Sequence, residues 1–273
     1  SLKRVEVNVS PLRSPAGGEV AATNIDRFRQ HYLRVTVPSQ FDTNVPVPEA
    51  CIGEFPVQMV PWRAGEGAFF DVPSRRNQPV WIDVYVPESQ APGDYTGTVE
   101  VLADGKRLAE LPVRLTVWPF SLPRETHLKT VVPTGIEQLR WGFGLPEADE
   151  TALRKLEDRF FQMAHQHRVN FQPSEEDDVV AEWGGRYRRY LDGSAYTERV
   201  GQGVGPNLLV TGVAGETEAE VKRHATRVAA WWKTQPERVR KNTTLVYYVF
   251  DEPQDDEDFA VVEARARWMR AAI

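Results

Sequence analysis

The hydrophobic periodicity of the chain changes once, near Pro119–Arg124, and this change constrains the fold more than any single motif. Before it, apolar residues recur at every second position, as in the run Val5–Val9. This spacing is typical of strands with one buried face. After it, short apolar runs alternate with stretches of helical spacing. We therefore expect two domains, residues 1–122 and 123–273.

The first domain is expected to consist of short strands joined by turns. Two further runs, Val80–Val86 and Leu111–Val117, alternate in the same way. Asp104-Gly105 is a hairpin signal between a strand near Tyr95–Leu102 and a strand near Leu108–Trp118. Because no long helical pattern interrupts these runs, the sequence predicts an antiparallel β-sandwich.

The second domain is expected to alternate strands with helices. The short apolar runs that predict strands are 128–132, 169–171, 208–213 and 245–250. The stretches of helical spacing are 147–166, 216–234 and 255–272, and in the first of them Leu153, Leu156, Phe160 and Met163 define the apolar face. This alternation predicts parallel βα units.

One connection in the second domain is unusually long. It runs from about Gln172 to Asn207 and is rich in glycine and aromatic residues. Long connections in α/β domains are often functional, and in a barrel this one would lie on the face that carries active sites. The alternative is a solvent-covered Ω-loop or a partly mobile insert.

The stretch Leu245–Pro253 carries the most specific chemical signal. An apolar strand ends in two adjacent carboxylates, Asp251 and Glu252. The carboxyl end of a parallel strand faces the site of an α/β fold. Repulsion between the neighbours, and burial among aromatic residues, would keep one carboxyl protonated as a general acid while the other stays ionised. The alternative is that one of them only caps the following helix.

Metal and cofactor signals are weak. Cys51 is the single cysteine, so neither an internal disulfide nor a Cys-based metal site is possible. The acidic runs 175–178 and 255–258 do not follow the calcium-loop pattern, and helix capping is the favoured interpretation. We expect no metal and no cofactor.

Charge and hydropathy exclude two classes of partner. The 39 acidic and 33 basic residues give a net charge of −6, and the basic residues are spread along the chain. Nucleic-acid binding is therefore not expected, because it needs a clustered positive face. The sequence contains no run of about 18 apolar residues, so no membrane span is predicted. The N-terminal residues show no apolar signal-peptide core.

Several of these segments resemble glycoside hydrolase family 123 and a related bacterial group called domain of unknown function 4091. Asn77–Pro87, Ala91–Val99 and Val117–Phe120 resemble the family's N-terminal sandwich. Phe250–Pro253 resembles the Asp-Glu-Pro end of its fourth barrel strand. Asp192–Tyr196 resembles the loop after its second barrel strand.

The resemblance implies a β-sandwich followed by the first half, four βα units, of a (β/α)8 TIM-type barrel. It implies a secreted or periplasmic β-N-acetylgalactosaminidase that retains configuration by substrate-assisted catalysis. Glu252 would be the general acid/base and Asp251 would orient the substrate's acetamido group. Its substrate would be a glycan or glycoconjugate. The residues that we expect to contact the substrate are Trp141, Trp183, Tyr190, Asp192 and Tyr196, although core packing is an alternative for Trp141.

Residues 123–273 are far fewer than the roughly 250 of a complete barrel, so we expect that a further C-terminal segment, or a segment of a partner, completes it. Two other functional hypotheses stay open. In the first, the chain is a non-catalytic carbohydrate-binding or structural protein on the same scaffold. In the second, it is an α/β protein in which the carboxylate pair is only a cap.

Overall fold

A computed structural model describes residues 1–37, 52–62, 69–174, 178–212 and 215–273. The chain divides into two compact units, Ser1–Ser121 and Leu122–Ile273. The division falls where the hydrophobic periodicity changes. Cys51 and Glu175–Asp177 lie outside the described residues.

The first unit consists of two antiparallel sheets. Its strands are β1 Leu2–Val9, β2 Leu12–Arg13, β3 Glu19–Val20, β4 Ile25–Val35, β5 Gly53–Pro61, β6 Phe70–Val72, β7 Val80–Val84, β8 Gly93–Ala103 and β9 Lys106–Val117. The larger sheet has the order β3-β2-β8-β1-β6, with β9 also paired to β8. The smaller sheet has the order β5-β4-β7.

The two sheets share their hydrophobic core. Val5 and Val7 of β1 are buried in one cluster with Phe70 of β6, and Val80 and Ile82 of β7 pack against it. These β1 and β7 residues follow the alternation that the sequence shows, because a strand side chain points to the same face at every second residue. The expectation of antiparallel sheets in this part of the chain is confirmed.

The hairpin between β8 and β9 is also confirmed. Ala103 pairs with Lys106, and the two residues between them are Asp104 and Gly105. Their φ angles are 48° and 73°. A two-residue hairpin of this type needs positive φ at both positions, and Asp-Gly tolerates it best.

Tyr95 anchors the start of β8 from inside the core. Its side chain is almost completely buried. Its hydroxyl donates to the carbonyl of Ala91 at 2.8 Å and accepts from Gln90 Nε2 at 2.7 Å. Tyr95 therefore has a structural role within the segment Ala91–Val99, which carries part of the family resemblance.

We expect Tyr95→Phe to destabilise the first unit by about 1–2 kcal/mol, because the hydroxyl of a buried side chain loses two partly buried hydrogen bonds. The matched control is Tyr32→Phe, since the Tyr32 hydroxyl donates to the carbonyl of Asn77 at the surface. Water can replace that bond, so the control should cost under about 0.5 kcal/mol. Urea unfolding measures both values, and equal losses would contradict the role of Tyr95.

The second unit alternates parallel strands and helices. Its strands are β10 Val132–Gly135, β11 Phe171–Ser174, β12 Leu208–Gly212 and β13 Thr244–Tyr248. Its helices are α1 Ile136–Gly142, α2 Glu150–Gln166, α3 Val179–Gly184, α4 Arg188–Leu191, α5 Glu218–Thr234, α6 Glu237–Asn242 and α7 Asp256–Arg270. β10 pairs with β11 and β12 with β13, both in parallel.

A side chain joins the two strand pairs. The Gln172 Oε1 atom in β11 accepts from the amide of Val210 in β12 at 2.9 Å, and Gln172 Nε2 donates to the carbonyl of Val210. Asn170 Nδ2 donates to Asn207 Oδ1 at 2.6 Å, just before the same two strands. The side-chain amides therefore hold β11 beside β12.

Helix α2 buries most of the face that its spacing predicts. Leu153 is buried in the core, and Leu156 and Phe160 pack against the same cluster, whereas Met163 is exposed. Hydrophobic spacing could not predict the burial of Glu157, because a charged residue becomes buried only with partners from elsewhere in the fold. The first two strands also begin later than predicted, at Val132 and Phe171.

The long connection between β11 and β12 is a helical layer of the core. It contains α3, α4 and a short 3-10 turn, Glu198–Val200. The ring of Tyr190 stacks on Phe161 of α2 with centroids 3.6 Å apart. The alternative of a solvent-covered Ω-loop is therefore wrong. None of the helices in the described part of the chain is long and apolar enough to cross a membrane.

Candidate active site at the end of the fourth parallel strand

Strand β13 has two different faces. Leu245 and Tyr247 pack against the hydrophobic clusters of the second unit. Val246 and Tyr248 point to the other side, and Tyr248 is 52% exposed. Gly212 of β12 lies opposite Tyr248 and adds no side chain beside it. The last residue of the strand therefore presents its ring on the open face at the carboxyl end.

Asp251 and Glu252 lie in the turn that follows β13. The Tyr248 hydroxyl donates to Asp251 Oδ1 at 2.7 Å. Arg265 of α7 donates through Nη1 to the carbonyl of Val249 at 2.9 Å. The turn is thus attached both to the strand before it and to the helix after it.

Glu252 has an unusual backbone conformation. Its φ angle is 46°, in the left-handed region that residues other than glycine rarely adopt. Its carbonyl accepts from Gln254 Nε2 at 3.2 Å. Within the described residues, its exposed carboxylate has neither a hydrogen bond nor an ion pair. Such conformations are often found at functional sites, where the surrounding structure maintains them.

Neither carboxylate caps helix α7. The N-cap is Asp255, whose side chain accepts from the amides of Glu257 and Asp258, both at 3.0 Å. The helix-cap interpretation of Asp251 and Glu252 is therefore wrong. The capping interpretation of the acidic run 255–258 is confirmed, since its other members occupy the first turn of α7.

We expect Asp255→Ala to destabilise the second unit by about 1 kcal/mol, because two helix amides lose their acceptor. Asp256→Ala is the matched control, since it removes a first-turn charge but no cap and should cost a few tenths of a kcal/mol. Denaturant unfolding followed by tryptophan fluorescence measures both. Equal costs for the two variants would contradict the assignment of the cap.

The charges of the turn act on Tyr248. The hydrogen bond to Asp251 is the main reason that the pKa of Tyr248 lies above its usual range, and repulsion from Glu252 adds to it. Asp251 and Glu252 are both exposed. The burial among aromatic residues that the sequence suggested for the pair is therefore not found.

Three of the expected substrate contacts lie in the core. Trp183 is 1% exposed, and Tyr190 and Tyr196 are also buried. The Tyr190 hydroxyl donates to Asp158 Oδ1 at 2.6 Å, and the ring of Tyr196 stacks on His165. Their rings pack against other protein groups and present no face to a sugar. This placement corrects the expectation that these three residues contact substrate.

The other two expected contacts remain accessible. Trp141 in α1 follows the first parallel strand, and its side chain is 75% exposed. The core alternative for Trp141 is therefore wrong. Asp192 is half-buried at the end of α4, where its Oδ1 accepts from the amide of Ser194 at 2.8 Å.

The structure adds two residues that the sequence analysis did not identify. Tyr248 contacts Asp251 directly, and Arg265 fixes the backbone of the turn. The sequence could have indicated Tyr248, because the alternation of β13 places it on the face away from the core-facing Leu245. No sequence pattern indicated Arg265. Among the described residues, no group of three or more His, Cys, Asp or Glu side chains could hold a metal ion.

Comparisons with known proteins bear mainly on the first unit. Residues 1–103 match the family model of the glycoside hydrolase 123 N-terminal domain. This match supports a relation to family 123 glycoside hydrolases, and it ends well before the carboxylate pair.

A solved family 123 glycoside hydrolase from Clostridium perfringens, studied for glycolipid glycan hydrolysis, is 14% identical over 60% of this chain, with a TM-score of 0.48. The chain spans 27% of the length of that structure. No curated protein matches the sequence.

Proposed function

We propose that the protein is a glycoside hydrolase of the family 123 type, with Asp251 and Glu252 as its catalytic pair. The observation that carries the proposal is the pair's position. Two carboxylates lie at the carboxyl end of a parallel strand, and Asp255 performs the capping that would otherwise explain them. The match of residues 1–103 to the family's N-terminal domain supports the choice of chemistry.

The proposed framework is the first half of a (β/α)8 barrel built from β10 to β13. The parallel pairing of these strands and the helices between them support it. In such barrels the active site is built from the segments that follow the carboxyl ends of the strands. The turn after β13 is one of these segments.

The proposed mechanism is substrate-assisted hydrolysis with retention. The acetamido oxygen of the substrate attacks the anomeric carbon while Glu252 donates its proton to the departing glycosidic oxygen. Asp251 accepts a hydrogen bond from the acetamido nitrogen and stabilises the positive charge of the oxazolinium intermediate. Glu252 then accepts a proton from water, which opens the intermediate. Adjacent carboxylates suit this division of roles, because the acetamido group and the glycosidic oxygen are on neighbouring sugar carbons.

The proposed substrate is a glycan or glycoconjugate with a β-linked N-acetylgalactosamine. Trp141 is the best candidate for stacking on a sugar ring, because its indole is the most accessible of the expected contact residues. By analogy with the family, we also propose that the protein acts after export, in a secreted or periplasmic form.

The test is hydrolysis of two aryl glycosides by the full-length protein. Aryl N-acetyl-β-galactosaminide should be hydrolysed with retention, as nuclear magnetic resonance of the first-formed anomer shows. Aryl β-galactoside, which lacks the acetamido group, should not react. Hydrolysis of both at similar rates would refute substrate assistance, and hydrolysis of neither would refute the enzyme proposal for this substrate.

A non-catalytic carbohydrate-binding protein is the second candidate. The exposure of both carboxylates favours it, since a general acid gains a raised pKa from burial. It predicts glycan binding without turnover, with binding weakened by Trp141→Ala. Turnover that depends on Glu252 would refute it.

A further inference from the structure

The two carboxylates of the turn have unequal surroundings. Asp251 accepts a hydrogen bond from Tyr248, and Glu252 has no partner for its carboxylate among the described residues. A hydroxyl that donates to one carboxyl oxygen restricts the orientation of that carboxylate. The pair is therefore asymmetric before any substrate binds.

The backbone on either side of this contact is fixed. Tyr248 ends β13, where Thr211 pairs with Tyr247 and Gly212 with Tyr248. Arg265 bonds to the Val249 carbonyl, and Asp258 Oδ2 accepts from the amide of Gln254 at 2.9 Å. The hydroxyl of Tyr248 thus reaches Asp251 from a strand, across a turn whose two ends are held.

We infer that Tyr248 is a positioning residue that holds the carboxylate of Asp251 in a fixed orientation beside the end of β13. The inference rests on the proposed function and adds to it a residue that acts through Asp251. One oxygen of Asp251 bonds to Tyr248, and the other is left for the acetamido nitrogen of the substrate.

The kinetic test compares Tyr248→Phe with Tyr247→Phe in the full-length protein. The first variant should lose about tenfold in kcat/KM, as expected for one hydrogen bond to a charged group. The loss should fall on kcat more than on KM, because the contact orients Asp251 for the reaction rather than for substrate binding. The control points to the opposite face of β13, and its kcat and KM should match the wild type. Wild-type kcat and KM for Tyr248→Phe in an active enzyme would overturn the inference.

A second readout does not need activity. Ultraviolet difference absorbance follows the ionisation of the tyrosines as pH rises. In Asp251→Asn, one tyrosine should ionise at lower pH than in the wild type, and Tyr248→Phe should remove that transition. Coincident titrations of the wild type and Asp251→Asn would overturn the inference, whether or not the protein hydrolyses glycosides.

The two readouts separate the inference from the proposed function. If the tyrosine titration changes as expected but no glycoside is hydrolysed or bound, the proposed function is overturned. The contact between Tyr248 and Asp251 then stands, but it has no role in catalysis. If hydrolysis depends on Glu252 but neither the tyrosine titration in Asp251→Asn nor the kcat of Tyr248→Phe changes, only the role of Tyr248 is overturned.

Discussion

Replacing Glu252 by Gln is expected to lower kcat/KM for a natural β-N-acetylgalactosaminide by about 10²- to 10⁴-fold, the usual contribution of a general acid/base. The amide keeps the size of the side chain but cannot donate the proton that the departing oxygen needs. The exposed carboxylate has no structural partner among the described residues, so folding should be unaffected. Circular dichroism and denaturant unfolding check this point, and initial rates measure the effect.

The leaving group distinguishes the roles of the two carboxylates. A dinitrophenyl leaving group needs little protonation, so Glu252→Gln should be impaired far less on such a substrate than on a natural one. Asp251→Asn should be impaired on both, because the acetamido group must attack in either case. Asp255→Ala is the matched control, since it changes a nearby acid that caps α7 and should leave kcat/KM unchanged. Equal losses for Glu252→Gln on both substrates would exclude its role as the acid.

Glu157→Ala is expected to destabilise the second unit by about 2–3 kcal/mol, the upper range for leaving a buried hydroxyl without its charged acceptor. Glu157 is 3% exposed on the inner face of α2. Its Oε1 accepts from Arg186 Nη2 at 2.9 Å and from the hydroxyl of Tyr187, and its Oε2 lies near Arg154. Removing the carboxylate leaves the buried Tyr187 hydroxyl without its acceptor.

The adjacent residue provides the control for this prediction. Asp158 makes the corresponding contacts, to Arg189 Nη2 at 3.0 Å and to the Tyr190 hydroxyl at 2.6 Å, but its side chain is 39% exposed. Asp158→Ala should therefore cost only about 1 kcal/mol, because water screens the pair and replaces its bonds. Urea unfolding of both variants gives the comparison. Equal losses would contradict burial as the cause.

Much of the architecture could be predicted from local pattern. The alternation in β1 and β7, the Asp-Gly hairpin between β8 and β9, and a helix within the predicted stretch 216–234 are all present in the structure. These features depend on residues close together in the chain, where side-chain direction follows directly from the backbone. Prediction failed for Glu157 on the buried side of α2, because this residue is stabilised by residues that lie about thirty positions later.

The candidate site also has features that local sequence predicts and features that it cannot predict. The motif Phe250–Pro253 identified the carboxylate pair without any coordinates. The sequence could not decide between Asp251, Glu252 and Asp255 as the cap, because each is an acid near the start of a helix. It also assigned Trp183, Tyr190 and Tyr196 to a ligand, since an aromatic residue in a long connection has the same local pattern whether it faces solvent or core.

The sequence by itself predicted the four parallel strands and three long helices of the second unit, the division near residue 121 and the two adjacent acids after β13. Only the tertiary structure decided which aromatic residues are buried, which acid caps α7 and which carboxylate of the pair receives a hydrogen bond. The reason is physical: periodicity is a property of neighbouring residues, whereas burial and hydrogen-bond partners depend on groups that the fold brings together from distant positions.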